Sequence, residues 1–176
     1  MGEVEVTPIG PALQAEVVAA TRARLDEAAR ILDCALPLPP IRFDLRGRCA
    51  GMYRVHQGTP EIRFNPYLFA RYFRENIDAT VPHEVAHYAI DRARGRRRVR
   101  PHGREWRALM LALGAEPQVR ADFALDGIPI RRLRTHGYRC ACRVHELTAI
   151  RHGRALRGGS YVCRACGVRL EWIGGE

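Results

Sequence analysis

His83-Glu84-Val85-Ala86-His87 sets two imidazoles and a carboxylate at a spacing suited to metal-dependent hydrolysis. On an α-helix, residues four apart stand one turn above each other on one face, so His83 and His87 can grip one zinc ion. Glu84 lies about 100° round the helix from His83, within reach of a water on the same ion. A carboxylate there takes the proton of that water as it attacks a polarised carbonyl. The expected chemistry is amide hydrolysis with Glu84 as general base and no covalent intermediate.

Catalytic zinc takes three protein ligands and leaves one position open, so the pair needs a third residue. Two candidates open the next apolar helix, His102 and Glu105. His102 is preferred because Gly103 beside it permits close backbone approach, whereas a first-turn acid such as Glu105 is already accounted for by the helix dipole. His56 and His136 read as exposed loop residues.

A second constellation lies near the C-terminus. Cys163-Arg164-Ala165-Cys166 is a CxxC knuckle followed by Gly167, and upstream stand Cys140-Ala141-Cys142, with His145 three residues on. Two ligand pairs about twenty residues apart have the layout of a zinc ribbon. The ligand set is read as Cys140, Cys142, Cys163 and Cys166, with His145 competing for one place. Four protein ligands leave no room for water, so this zinc is structural. Cys34 and Cys49 stand apart, and Cys34 reads as a small buried apolar residue.

The elements that must position these groups follow from periodicity. Residues 12–33 repeat apolar side chains at helical spacing. Pro37, Pro39 and Pro40 end that helix, and 41–45, 52–55 and 61–64 alternate as strands. Asn65-Pro66 turns the chain into a helix over 67–76. The helix carrying His83 is expected to be capped by Thr80, with Pro82 in its first turn and Val81, Val85, Tyr88 and Ala89 facing the core. Arg94 to Arg100 form a basic loop. Another helix follows His102-Gly103, with Trp106, Leu109, Met110 and Leu113 as its apolar face and Gly114 at its end. Residues 115–135 form a connector, and short strands and turns surround the cysteines from His136 on. This organisation predicts domains at 1–130 and 131–176.

The chain of 176 residues carries a net charge of +10, and every basic residue apart from histidine is arginine. Codon usage accounts for that choice; distribution says more. Residues 1–80 balance ten Arg with ten acids, whereas 81–176 hold nineteen Arg against nine acids. Within 131–169 ten Arg face one acid, Glu146. Such a one-sided field suits a polyanion, DNA or RNA. Arg139, Arg143, Arg151, Arg154, Arg157 and Arg164 are the candidate phosphate contacts. Tyr138, Tyr161 and Trp172 among them either stack on bases or fill the ribbon's own core. No apolar run reaches the ~20 residues needed to span a bilayer, and the start has no signal-peptide pattern, which predicts a cytoplasmic protein without membrane contact.

In order along the chain, Ala50-Gly51, Ile62-Arg63-Phe64-Asn65, Val81-Pro82-His83-Glu84-Val85-Ala86-His87 and Pro101-His102-Gly103-Arg104-Glu105-Trp106 form one ordered set. It continues with Tyr138-Arg139-Cys140-Ala141-Cys142-Arg143-Val144-His145, Arg151-His152 and Tyr161-Val162-Cys163-Arg164-Ala165-Cys166-Gly167. From about Ile41 onward this set resembles the SprT-like zinc metallopeptidases, their bacterial members in particular. The resemblance implies an α+β fold, with a zincin-like core of helices and a small sheet followed by the ribbon. It also implies His83, His87 and His102 on zinc with Glu84 catalytic, and so supports His102 over Glu105. Eukaryotic Spartan relatives cleave proteins trapped covalently on DNA, so the expected substrate is a protein bound or crosslinked to nucleic acid. The expected cofactors are one catalytic and one structural zinc. A nucleic-acid-binding or regulatory protein that keeps the peptidase scaffold with little turnover is the competing reading; the intact Glu84 argues against it.

Overall fold

The computed structural model describes residues 6–94, 99–119, 122–130 and 134–174. Two compact units divide the chain, residues 1–130 and 131–176. Of the basic loop expected at 94–100, residues 95–98 lie outside the described residues.

In the first unit, helix α1 (Pro11–Leu32) has Pro11 at its start and ends on Asp33 in the left-handed region, whose N–H donates to the Ala29 carbonyl. It buries Val17, Thr21, Leu25 and Ala28, spaced three or four apart as a single core-facing stripe requires. Strand β1 covers only Ile41–Arg42, shorter than the 41–45 expected. Strands β2 (Gly51–His56) and β3 (Thr59–Phe64) form an antiparallel hairpin. Its turn residues, Gln57 and Gly58, both take positive φ (48° and 81°), which matches the right-handed strand twist. β1 joins β3 in parallel, giving the order β1-β3-β2 with β2 on an edge.

Asn65 caps α2 (Pro66–Arg71) by accepting the N–H groups of Tyr67 and Leu68, while its amide donates to Gly47 and Cys49 carbonyls. The helix expected to run on to residue 76 breaks at Tyr72, with φ −130° and ψ 54°. It resumes as α3 (Phe73–Glu75), passes through a π turn (Asn76–Thr80) and runs on into α4 (Val81–Arg94). The expected Thr80 cap is therefore absent, because the backbone is helical on both sides of Thr80. Its hydroxyl donates instead to Asn76 Oδ1 at 2.7 Å. The widened turn explains how Pro82 sits inside a helix: a proline ring clashes with the carbonyl four residues back, and π geometry moves that carbonyl aside. Helix α5 (Arg104–Ala112) follows. Val17, Leu25, Ile62, Phe64, Val85, Trp106 and Met110 are among the side chains of the main core, which joins α1, the sheet, α4 and α5.

In the second unit, β4 (Thr135–Arg139), β5 (Val144–Thr148) and β6 (Glu171–Trp172) form an antiparallel sheet in the order β5-β4-β6. A helix, α6 (Ala149–Leu156), stands where only strands and turns were expected. It spans only eight residues, carries Gly153 inside and buries only His152, a stretch too short for helical periodicity to be read from sequence. His136 is not an exposed loop residue; it lies in β4 with its ring stacked 3.7 Å from that of His152. The chain is thus α+β, helices with two small sheets. Among the described residues no helix is long and apolar enough to cross a membrane.

Candidate metal centres

Two turns of α4 present His83 and His87 on one face, and the turn before α5 brings His102 to them. The three Nε2 atoms lie 3.0, 3.1 and 3.2 Å apart. An ion about 2.0–2.1 Å from each nitrogen in a tetrahedral set needs edges of about 3.3 Å, so the triad fits zinc with little adjustment. Burial takes the His83 imidazole down to about 4 and that of His87 down to about 3, and neighbouring imidazoles add to both. His102 is lowered by burial as well. Each shift favours the neutral ring, the form that binds a metal.

His102 reaches the triad from a left-handed backbone, φ 57°. A Cβ at Gly103 would meet the Arg100 carbonyl at 2.9 Å, so this turn needs glycine. Glu105 lies outside the histidine group and faces Arg104 at 3.8 Å. The indole of Trp106 lies 4.7, 5.5 and 4.7 Å from the rings of His83, His87 and His102, and its Nε1 donates to the His83 carbonyl. A hydrogen bond between the His83 ring and the Gln118 backbone steadies the same triad from the connector.

Glu84 is 5% exposed, on the flank of α4 that faces β2. Its Oε2 accepts the Tyr53 backbone N–H at 2.6 Å. Burial pushes the carboxyl up to about 8, against the lowering effect of that hydrogen bond. The chain passes so close at Gly51 that a Cβ would meet Glu84 Oε1 and Cγ at 2.7 Å. A cleft of about 480 Å³ and a neighbouring one of about 680 Å³ share Cys49, Gly51, His83, Glu84 and Val119. Space for an extended substrate thus continues on both sides of the carboxylate. Gly51, the Tyr53 N–H and Trp106 had no role at the metal site in the sequence. A backbone donor leaves no trace in residue type, and Trp106 reads as core.

In the second unit, the sulfurs of Cys140, Cys142, Cys163 and Cys166 lie within 4.8 Å of one another. Cys140 and Cys142 are 3.4 Å apart, and Cys142 and Cys163 3.7 Å. Tetrahedral zinc with bonds of about 2.3 Å needs S···S edges of about 3.8 Å, so this set also fits. The Cys163–Cys166 turn closes with Gly167 N–H on the Cys163 carbonyl at 2.8 Å, Gly167 taking φ 69°. Backbone N–H groups of Cys166 and Ala165 aim at the Cys163 sulfur and bring its thiol down to about 5. His145 lies outside the four-sulfur group, yet its Nε2 touches Cys140 Sγ at 3.2 Å. The Arg143 guanidinium turns to the sulfurs of Cys163 and Cys142.

Arg139, Arg151, Arg154, Arg157 and Arg164 are exposed, and no acidic side chain pairs with them among the described residues. Tyr138 is buried, its hydroxyl 3.0 Å from His152 Nδ1, so it belongs to the ribbon's core. Trp172 is 44% exposed against His152.

A family model, SprT-like, matches residues 21–132. Protein SprT of Serratia proteamaculans (strain 568) is 38% identical over 167 residues, 94% of each chain. Protein SprT of Yersinia pseudotuberculosis serotype O:1b (strain IP 31758) is 40% identical over 164 residues, 92% of each. That of Erwinia tasmaniensis is 38% identical over 161 residues, 90% of this chain and 91% of the relative. No solved structure shows a significant match.

Proposed function

The chain belongs to the SprT-like family, and we propose that it is a zinc-dependent endopeptidase with a zincin-like core. One observation carries the reading: three imidazoles converge beside a buried carboxylate that accepts a backbone N–H. His83, His87 and His102 would hold the zinc, which when bound would supply Lewis-acid polarisation of the scissile carbonyl and acidify water. Glu84 takes the proton of the attacking water and passes it to the leaving amine. Burial raises the Glu84 carboxyl, which strengthens the carboxylate as a base. The Tyr53 N–H fixes the carboxylate's orientation, and Trp106 holds the ligand rings in place.

The substrate in this proposal is a protein bound or crosslinked to DNA or RNA, acted on in the cytoplasm. Arg139, Arg151, Arg154, Arg157 and Arg164 meet phosphates, since they are exposed without acidic partners. In this proposal Arg143, whose guanidinium interacts with the sulfurs of Cys163 and Cys142, serves the ribbon and not phosphate. Cys140, Cys142, Cys163 and Cys166 would hold a second zinc that keeps the ribbon carrying these arginines folded.

Cleavage of a basic DNA-binding protein, with and without DNA, tests the proposal. Wild type cuts and Glu84→Gln does not, though both bind two zinc ions per chain. Cutting by Glu84→Gln sinks the catalytic assignment. Cutting at the same rate without DNA sinks the guidance, and no cutting by wild type favours a binding protein on a peptidase scaffold.

A further inference from the structure

Arg143 and His145 flank the outward-facing Val144, which is 65% exposed at the start of β5. Alternation along an extended chain sends both of their side chains to the opposite face, and that face holds the cysteine sulfurs. His145 Nε2 lies 3.2 Å from Cys140 Sγ and also hydrogen-bonds Cys163, while Arg143 bonds Cys163 and Cys142. Three of the four sulfurs thus receive a side-chain donor from one short stretch of chain. Cys142, in turn, sits between Cys140 and Cys163 at 3.4 and 3.7 Å, within the four-sulfur group. His145 does not belong to that group.

We infer that the ribbon metal is held by four thiolates and that His145 and Arg143 are positioning residues that donate hydrogen bonds to those thiolates, His145 not being a ligand. This inference rests on the second-zinc part of the proposed function. A thiolate carries no proton, so the shared hydrogen must sit on His145 Nε2. Four thiolates around a divalent ion leave a net charge of about −2, which favours outside donors. Arg143, always charged, is the stronger of the two. Such partners fix ligand orientation, and their removal costs about 10–100-fold in metal affinity.

The test uses the full chain loaded with cobalt(II) in place of zinc. The histidine centre has no thiolate, so the near-ultraviolet sulfur-to-cobalt band reports the ribbon alone. The band per cobalt should fall by about a quarter in Cys142→Ser and stay unchanged in His145→Ala, one thiolate of four being lost in the first case. A band unchanged in Cys142→Ser, with ligand-field bands shifted in His145→Ala, would make His145 the fourth ligand and overturn the inference. For zinc, release to a chromogenic chelator should quicken about 10-fold in His145→Ala and Arg143→Gln, while His145→Gln, which keeps a donor, retains the wild-type rate. Wild-type release rates in both His145→Ala and Arg143→Gln would remove their role even with four thiolates established. A chain with no sulfur-to-cobalt band at all would fail the ribbon itself, leaving the histidine centre untouched.

Discussion

At the scale of single residues, placement of Glu84 decides more than its chemical type. A general base contributes about 10²–10⁴-fold, and Glu84→Gln should lose that in kcat with metal content unchanged. Gly51→Ala makes the finer prediction. The added methyl enters space held by Glu84 Oε1 and Thr80 Cγ2 at 2.7 Å, so the carboxylate must shift. Peptidase activity should fall about 100-fold while zinc stoichiometry and thermal midpoint stay close to wild type. Full activity in that variant would show that the approach at Gly51 does not set the carboxylate. The two candidate donor groups were legible in sequence because imidazole and thiolate chemistry is written in residue type. The Tyr53 N–H was not, since the backbone donor is common to every residue but proline and only the fold aims it.

At the scale of elements, α1 and α5 were readable from period, because each has one buried face, and the hairpin was readable from its alternating residue types around the Gly58 turn. The break at Tyr72 and the π turn were not, since they are set by local side-chain hydrogen bonds that compete with the regular helix and leave no mark in the apolar period. Asn76 is the clearest case: fully buried, its amide donates to the Leu68 and Tyr72 carbonyls while its Oδ1 accepts from Thr80. Asn76→Ala should cost about 1–3 kcal/mol in urea unfolding, with activity lost in step if the turn also positions Glu84. The sheet's outer face offers a pH test. Arg54, and then Arg42, hold the buried Glu61 carboxyl below its ordinary value of 4.5. A carboxylate lowered in the folded state stabilises above its unfolded pKa, and that stability is lost as pH falls toward the folded one. The thermal midpoint of wild type should therefore drop more steeply than that of Glu61→Gln below pH about 4.5. Parallel curves would show that the two ion pairs contribute nothing net.

At the scale of the whole molecule, the two units differ in what holds them folded. Residues 1–130 own the extensive core, whereas the described part of 131–176 buries little beyond Tyr138, Leu147, His152 and Cys163. A strong chelator should melt the second unit and leave the helical signal of the first, because metal binding is folding energy in so small a domain. One cooperative loss of both would contradict this. Five phosphate contacts would give DNA affinity a log–log salt slope of about −4, and each Arg→Gln among them should flatten it by about one unit. Arg143→Gln should leave the slope alone.

The sequence holds two tryptophans, Trp106 and Trp172, one in each unit. Trp106 is 1% exposed and touches all three candidate ligand rings; Trp172 is 44% exposed beside His152. The first should emit in the blue and the second in the red, which separates the units by colour alone. A paramagnetic ion entering the histidine triad must quench the blue component first. The protein therefore carries its own fluorescence titration, in which loading of one centre can be followed without label, substrate or turnover.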